Sequence, residues 1–248
     1  MIEFCNVRTG YGNDDILKDI SLHVPKGSIT TLAGPNGCGK TTLLRAAAGQ
    51  LPLRSGEILL NGKSLPSYDR RELARTVAFL PQTRSIPAIS VGALVAHGRF
   101  PYLGLSRRLR QEDKKAIRLA MEKTGVLQWA DRPLWELSGG ERQRVYLAMV
   151  LAQDTDVVFL DEPTTYLDLQ HQFELLSLVQ GLNRQGKTVV MVLHDLSHAL
   201  RYSHQVVLMD HGEVLRCGTP EDLYQSGALE QVFRIHAHRA EDTYYFTP

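Results

Sequence analysis

The glycine-rich stretch GPNGCGKT, residues 34–41, restricts the possible folds of this chain more than any other segment. It follows the apolar run SITTLA and precedes the helix-like run TLLRAAAG, an order that predicts a buried strand, a tight loop and a helix. Glycines let such a loop wrap around phosphate oxygens, and Lys40 can supply positive charge to the β- and γ-phosphates. A purely structural turn that caps the helix is the alternative, but it leaves the pair Lys40-Thr41 unexplained.

The same loop predicts a nucleotide site that holds a magnesium ion, because the hydroxyl of Thr41 can ligate Mg²⁺. Cys38 lies near a helix N-terminus and near Lys40, which predicts a lowered pKa of its thiol. The predicted nucleotide-binding residues of this segment are Gly34, Pro35, Asn36, Gly37, Cys38, Gly39, Lys40, Thr41 and Thr42.

Composition excludes several other classes of protein. In 248 residues, a hydrophobic content of 43% supports a real core, and a net charge of +1 gives no general attraction to nucleic acid. The three cysteines lack the spacing of a zinc site or a disulfide framework. No export signal is apparent and the apolar runs are too short to span a bilayer, so we expect a cytoplasmic protein.

The order of short apolar runs predicts an α/β protein built as one domain, residues 1–248. Strand-like runs come first and include GEILLNGK, whose Asn61-Gly62 is typical of a hairpin turn; they predict an N-terminal antiparallel β subdomain. Residues 84–150 read as an inserted helical subdomain. The second half alternates strands with helices, which predicts a parallel core sheet with ligands at the carboxyl ends of its strands.

Two neighbouring acids end the apolar run DVVFLDEP. We expect Asp161 and Glu162 to point to opposite sides of that strand and to have separate roles. Asp161 would hold Mg²⁺ through water, and Glu162 would polarise the water that attacks the γ-phosphate. Alone, such a pair is more often solvated or helix-capping.

Three further residues are candidates for the nucleotide site because of where they lie in the sequence. His194 ends the next strand-like run, TVVMVL, which brings it to the same sheet edge as the acids. Gln82 closes the run TVAFLPQ, where it would contact the Mg²⁺ site. Tyr11 is either a turn aromatic or a platform on which an adenine ring stacks.

The stretch LSGGERQR, residues 137–144, begins a second helix that is suited to an anion. Ser138 and Glu141 have the spacing of a capping box, which accounts for those two residues structurally. Gly139 and Gly140 are not explained by capping, but both glycines suit a phosphate that approaches the backbone closely.

Taken together and in this order, these motifs resemble those of an ATP-binding cassette (ABC) ATPase, and the resemblance covers nearly the whole chain. It implies a P-loop ATPase fold and an enzyme that hydrolyses ATP with Mg²⁺. It also implies a head-to-tail dimer of two copies, in which Ser138, Gly139, Gly140 and Glu141 of one copy contact the ATP held by the other.

The resemblance also assigns roles to single residues. It implies that Glu162 is the catalytic base, His194 the switch histidine, Gln82 the Q-loop residue and Tyr11 the adenine-stacking aromatic. Lys40 is included among the catalytic residues, Asp168 in TTYLD is expected at the dimer seam, and the metal set is Thr41, Gln82 and Asp161.

The phrases VAHGRFPYLG and PTTYLDLQHQFELL resemble the subgroup that serves iron–siderophore, haem and cobalamin uptake. This implies a bacterial importer subunit, bound peripherally at the cytoplasmic face of the membrane. Its partners would be polytopic permease subunits and, indirectly, a substrate-binding protein. A soluble ABC ATPase that acts in the assembly of a complex, such as an iron–sulfur cluster system, stays open as the alternative.

Overall fold

The computed structural model describes residues 1–82, 86–104, 108–241 and 243–248. The strands of these residues are β1 (Ile2–Tyr11), β2 (Asp14–Val24), β3 (Ile29–Ala33), β4 (Ser55–Leu60), β5 (Lys63–Ser64), β6 (Val77–Leu80), β7 (Val157–Asp161), β8 (Thr188–Val192), β9 (Gln205–Asp210), β10 (Glu213–Gly218), β11 (His236–Ala240) and β12 (Thr243–Thr247). The helices are α1 (Lys40–Ala47), α2 (Arg70–Thr76), α3 (Val91–His97), α4 (Gln111–Lys123), α5 (Gly139–Gln153), α6 (Leu169–Arg184), α7 (Leu196–Tyr202), α8 (Pro220–Gln225) and α9 (Ala228–Phe233).

The N-terminal strands form an antiparallel sheet in the order β2-β1-β4-β5, as the sequence predicts. The hairpin between β4 and β5 turns at Asn61 and Gly62, which have φ angles of 54° and 74°. Both angles lie in the left-handed region that a tight hairpin turn requires, and asparagine and glycine adopt it at the lowest cost.

The central sheet has the order β10-β9-β3-β8-β7-β6. Its strands are parallel except β10, which pairs antiparallel with β9 at one edge. Every residue of β3, β7 and β8 is buried, which explains why these strands read as continuous apolar runs rather than alternating ones. The carboxyl ends of β3, β6, β7 and β8 therefore lie along one edge of the sheet, and the predicted functional motifs follow these ends.

Helix α1 is enclosed between the two sheets. Its Leu43 and Leu44 are 1% exposed and belong to one apolar cluster with Ile20 of the antiparallel sheet and Phe159 of the central sheet. Because this packing fixes the helix on two sides, it also fixes the glycine-rich loop that precedes it. The α/β fold with a parallel core and an antiparallel N-terminal part agrees with the prediction.

Helices α3, α4 and α5 pack on one another beside the other face of the central sheet. Arg99, which follows α3, links α4 to α5: its Nε donates to Asp113 Oδ1 in a buried ion pair at 2.9 Å, and its Nη1 donates to the carbonyl of Ala152 at 3.0 Å. Helix α5 continues to Gln153, so residue 150 lies inside a helix, and residue 84, the expected start of the helical subdomain, lies outside the described residues.

The C-terminal part packs against the β9 side of the central sheet. The hairpin β11-β12 and the helices α7, α8 and α9 share an apolar cluster that includes Leu200, Leu223, Leu229 and Tyr244. Among the described residues, none of the helices has both the length and the apolar character needed to cross a membrane.

Candidate functional site

A cavity of about 430 Å³ lies at the edge of the central sheet where β3, β6, β7 and β8 end. It collects predicted residues from distant parts of the sequence. Its lining consists of Tyr11, Ile16, Asn36, Gly37, Gly39, Lys40, Thr41, Thr42, Gln82, Glu162 and His194. Ile16 is the member that sequence reasoning missed, because only the pairing of β1 with β2 and its contact with the loop bring it there.

The glycine-rich loop has a backbone that few other residues can adopt. Gly34 and Gly39 have φ angles of 150° and 106°. A β-carbon at Gly34 would lie 2.1 Å from the carbonyl oxygen of Met209, and one at Gly39 would lie 2.8 Å from a methyl group of Leu17. Both glycines are therefore required by conformation and by space, independently of any ligand.

Lys40 begins α1 and is buried beneath this loop. Its ammonium group donates to the carbonyl oxygens of Gly34 at 2.7 Å and Pro35 at 2.8 Å. The positive charge is thus held inside the curve of the loop, at the N-terminal end of an eight-residue helix whose first backbone N–H groups have no partner within the helix. Positive charge and free N–H donors converge there, which suits a phosphate group.

The expected low pKa of Cys38 is wrong. The side chain is 2% exposed, and burial raises the pKa of the thiol, although the nearby charge of Lys40 opposes this effect. The sulfur lies 3.7 Å from Lys40 Nζ. The sequence showed the helix N-terminus and the lysine, but not the enclosure between two sheets that favours the neutral thiol.

Alkylation of native protein should therefore modify Cys38 at least about tenfold more slowly than the exposed Cys5, because a thiol reacts as its thiolate and a buried one also needs local opening. Peptide mapping after timed labelling with iodoacetamide measures both rates, and unfolding in urea should equalise them. Equal rates in the folded protein would contradict this expectation.

Asp161 is not among the lining residues, but it forms a polar pair with Thr41, which lines the cavity. The hydroxyl of Thr41 donates to Asp161 Oδ1 at 2.9 Å, and Asp161 is fully buried at the end of β7. Burial raises the pKa of this carboxyl, the Thr41 hydroxyl lowers it, and the adjacent charge of Glu162 raises it further. Within the described residues, Oδ2 of Asp161 has no hydrogen-bond partner. This oxygen can therefore bind a cation, either directly or through a water that the cation holds.

The expectation from strand alternation does not apply to Glu162, because this residue lies outside the strand. The strand ends at Asp161, and Glu162 has a φ angle of 50°. Glu162 lines the cavity, whereas Asp161 is linked to it through its hydrogen bond with Thr41. His194, which follows β8, approaches from the neighbouring strand, and its Nε2 lies 2.8 Å from Glu162 Oε1.

Gln82 and Tyr11 lie at the rim of the cavity. Gln82 is exposed and follows β6. Tyr11 is 45% exposed, and its hydroxyl accepts a hydrogen bond from Arg45 Nη1 at 3.3 Å. An exposed ring beside a phosphate-binding loop can stack on a planar base.

The predicted capping box is present at the start of α5. Ser138 N donates to Glu141 Oε2 at 2.7 Å, and Glu141 N donates to Ser138 Oγ at 3.3 Å. Hydrogen bonds from Ser138 lower the pKa of Glu141. The Glu141 carboxylate and the Ser138 hydroxyl therefore both serve the helix end, whereas Gly139 and Gly140 take no part in the cap.

This helix start lines a second cavity, of about 730 Å³, that is separate from the first: none of the described residues lines both. Its lining consists of Ser138, Gly139, Gly140, Glu141, Arg144, Tyr166, Leu167, Asp168 and His171. A β-carbon at Gly139 would meet no atom closer than 3.6 Å. Packing within one chain therefore does not require this glycine.

Asp168 lies beside that cavity as the N-cap of α6. Its Oδ1 accepts from the backbone of His171 at 2.9 Å and lies 2.6 Å from His171 Nδ1. The backbone hydrogen bond from His171 is the main cause of the lowered pKa of Asp168. The structure thus groups Asp168 with Ser138 and separates both from Lys40.

Comparison with known proteins agrees with this geometry. The family model described as ABC transporter matches residues 17–165. The iron(3+)-hydroxamate import ATP-binding protein FhuC of Bacillus subtilis (strain 168) is 46% identical over 235 residues, which cover 94% of this chain and 87% of that protein. The ferric enterobactin transport ATP-binding protein FepC of Escherichia coli (strain K12) is 39% identical over 241 residues, 96% of this chain and 89% of that protein.

Among solved structures, a dimer of the ATP-binding cassette MJ0796, in a post-hydrolysis state bound to ADP and Pi, matches with a TM-score of 0.79. The match has 27% sequence identity and covers 89% of this chain and 99% of that one.

Proposed function

The chain belongs to the ABC transporter family of ATP-binding proteins, and from this premise we propose that it powers a bacterial importer of ferric siderophores or related chelates such as haem and cobalamin. The main observation in support of ATP hydrolysis is that four residues lie close together at one edge of the central sheet: Lys40, Asp161, Glu162 and His194. The cargo is inferred from relatives that act in iron–hydroxamate and enterobactin transport.

The residues of the first cavity divide the work of ATP hydrolysis. The glycine-rich loop and Lys40 hold the β- and γ-phosphates, and Tyr11 stacks on the adenine. Glu162 accepts a proton from the water as its oxygen bonds to the γ-phosphorus, and the bond from that phosphorus to the bridging oxygen breaks, which releases ADP and phosphate. His194, 2.8 Å from Glu162, orients its carboxylate and faces the γ-phosphate.

The oxygen groups around Asp161 fit a magnesium ion. Mg²⁺ prefers oxygen ligands and is usually bound by one or two carboxylates together with substrate phosphates. Thr41 offers a hydroxyl, Asp161 offers the buried oxygen that has no partner in the described structure, and Gln82 offers an amide oxygen at the rim. When bound there, the ion would neutralise negative charge on the phosphate oxygens.

The second cavity supports the proposal that the active form is a head-to-tail dimer. Ser138 and the two glycines present an anion-binding helix start, yet in one copy they line a different cavity from Lys40. A second copy of the chain would bring its Ser138 over the phosphates held by the first, with Asp168 at the seam. The relative MJ0796 is a dimer in its ADP- and Pi-bound structure.

The partners we propose are polytopic permease subunits, which would hold this chain at the cytoplasmic face of the membrane, and, indirectly, a substrate-binding protein. Copurification and transport test this together. Tagged chain, expressed with a candidate permease and extracted in detergent, should be recovered with it, and the gene should restore uptake of iron-loaded hydroxamate siderophore in a strain that lacks it. Lys40→Ala is the matched control and should not restore uptake. Recovery with soluble partners alone, or uptake without this gene, would contradict the importer role.

A further inference from the structure

The carboxylate of Glu162 is contacted on both oxygens by its own chain. His194 Nε2 lies 2.8 Å from Oε1, and the hydroxyl of Thr165 donates to Oε2 at 3.3 Å. The two contacts differ in their surroundings, since the His194 side chain is half exposed whereas Thr165 is partly buried. Thr165 has no role in the function proposed above.

Thr165 belongs to a short turn that also sets the backbone of Glu162. Its N–H donates to the carbonyl of Glu162 at 3.3 Å. The next peptide is anchored from α5, because Gln143, 5% exposed, donates from Nε2 to the carbonyl of Pro163 at 2.6 Å. These contacts stabilise the left-handed conformation of Glu162, which costs energy in a residue other than glycine.

The turn lies between the two cavities. Thr165 and Tyr166 line a cavity of about 360 Å³ together with Gln82 and Gly139, and Tyr166 also lines the Ser138 cavity. The Thr165 hydroxyl is directed to the other side, toward Glu162. The side chain is thus placed where the helix that starts at Ser138 meets the carboxylate of the first cavity.

We propose that Thr165 is a positioning residue for ATP hydrolysis, which fixes the rotation of the Glu162 carboxylate so that one oxygen faces the attacking water. This rests on the proposed role of Glu162. The terminal torsion of a glutamate is broad, and one contact leaves the carboxylate free to turn. A second donor on the opposite oxygen removes that freedom, and a small misplacement of a reacting group lowers a rate severely.

Thr165→Val tests the hydroxyl alone, because valine keeps the branched shape and the backbone N–H that bonds to Glu162. We expect kcat for ATP to fall by about tenfold to a hundredfold. KM and the affinity for a fluorescent ATP analogue should stay within about twofold of wild type, because the residues that bind the phosphates are unchanged. Thr165→Ser keeps the hydroxyl and should restore most of kcat. A structural role would lower the melting temperature and would not separate kcat from KM.

The outcomes separate this inference from the function on which it rests. If the wild-type chain does not hydrolyse ATP, or Glu162→Gln hydrolyses it normally, the proposed function fails. If those controls behave as expected and Thr165→Val keeps wild-type kcat, the positioning role alone is wrong. Equal losses in the valine and serine variants also overturn it, as they would reflect packing. Should the valine variant fold poorly, Thr165→Ala compared with Thr165→Ser gives the same decision.

Discussion

Glu162→Gln should lower ATP turnover by at least about a hundredfold, since it removes the general base, while nucleotide binding remains. Glutamine has nearly the same shape, so it can keep the left-handed backbone and the contact with Thr165. The Lys40 ammonium and its carbonyl partners are untouched. With binding intact and hydrolysis blocked, ATP accumulates between two copies, and we expect a stable ATP-bound dimer.

Size-exclusion chromatography with ATP and Mg²⁺ measures the dimer, and release of inorganic phosphate measures turnover. Glu57→Gln, at an exposed position of β4, is the matched control and should behave as wild type. A monomer in the presence of ATP, together with continued phosphate release, would contradict the assignment of Glu162.

Sequence reasoning located most of this site because its main features are local. The loop at residues 34–41, the hairpin at Asn61-Gly62 and the capping box at Ser138 each depend on neighbours within a few residues. The backbone conformation needed there selects glycine, asparagine or serine, and that choice is visible in the sequence. Parallel strands then bring the motifs that follow them to one edge, which is why His194 was predicted near Glu162.

The features that sequence reasoning missed depend on long-range packing or on one backbone angle. Ile16 reaches the cavity through the pairing of β2 with β1. The pKa of Cys38 is raised because α1 is enclosed between two sheets. Strand alternation does not apply to Glu162, because β7 ends at Asp161 and the sequence does not show that end. Thr165 has no signal in the sequence other than its three-residue spacing from Glu162.

Ser138→Arg should lower ATP hydrolysis by at least about a hundredfold, because it removes the preorganised phosphate contacts of this helix start, whereas the P-loop of the variant should still bind ATP. Ser138 is exposed in one copy, so the chain can accommodate an arginine there and fold. The same side chain would fill the space that a second copy needs in order to place its phosphates at this helix start. The substitution also removes the N-cap contact with Glu141, which costs about 1 kcal/mol.

Ser138→Ala separates these two effects. It loses the same cap and should show a similar fall in melting temperature, yet it should keep much more hydrolysis because alanine leaves the dimer interface open. Binding of a fluorescent ATP analogue should match wild type in both variants. An arginine variant that hydrolyses ATP as well as the alanine variant would mean that no second copy approaches this helix.

A mixture of Ser138→Arg with Lys40→Ala decides whether the two cavities act within one chain or between two. In a head-to-tail dimer of the two variants, the new arginine faces the Lys40→Ala site, which holds no phosphates for it to displace, and the other site combines an intact Lys40 with an intact Ser138. Hydrolysis by the mixture should then exceed the sum of the separate variants. If each chain used its own Ser138, every site would carry one defect and mixing would restore nothing. The separation of the Lys40 and Ser138 cavities within one copy favours the first result.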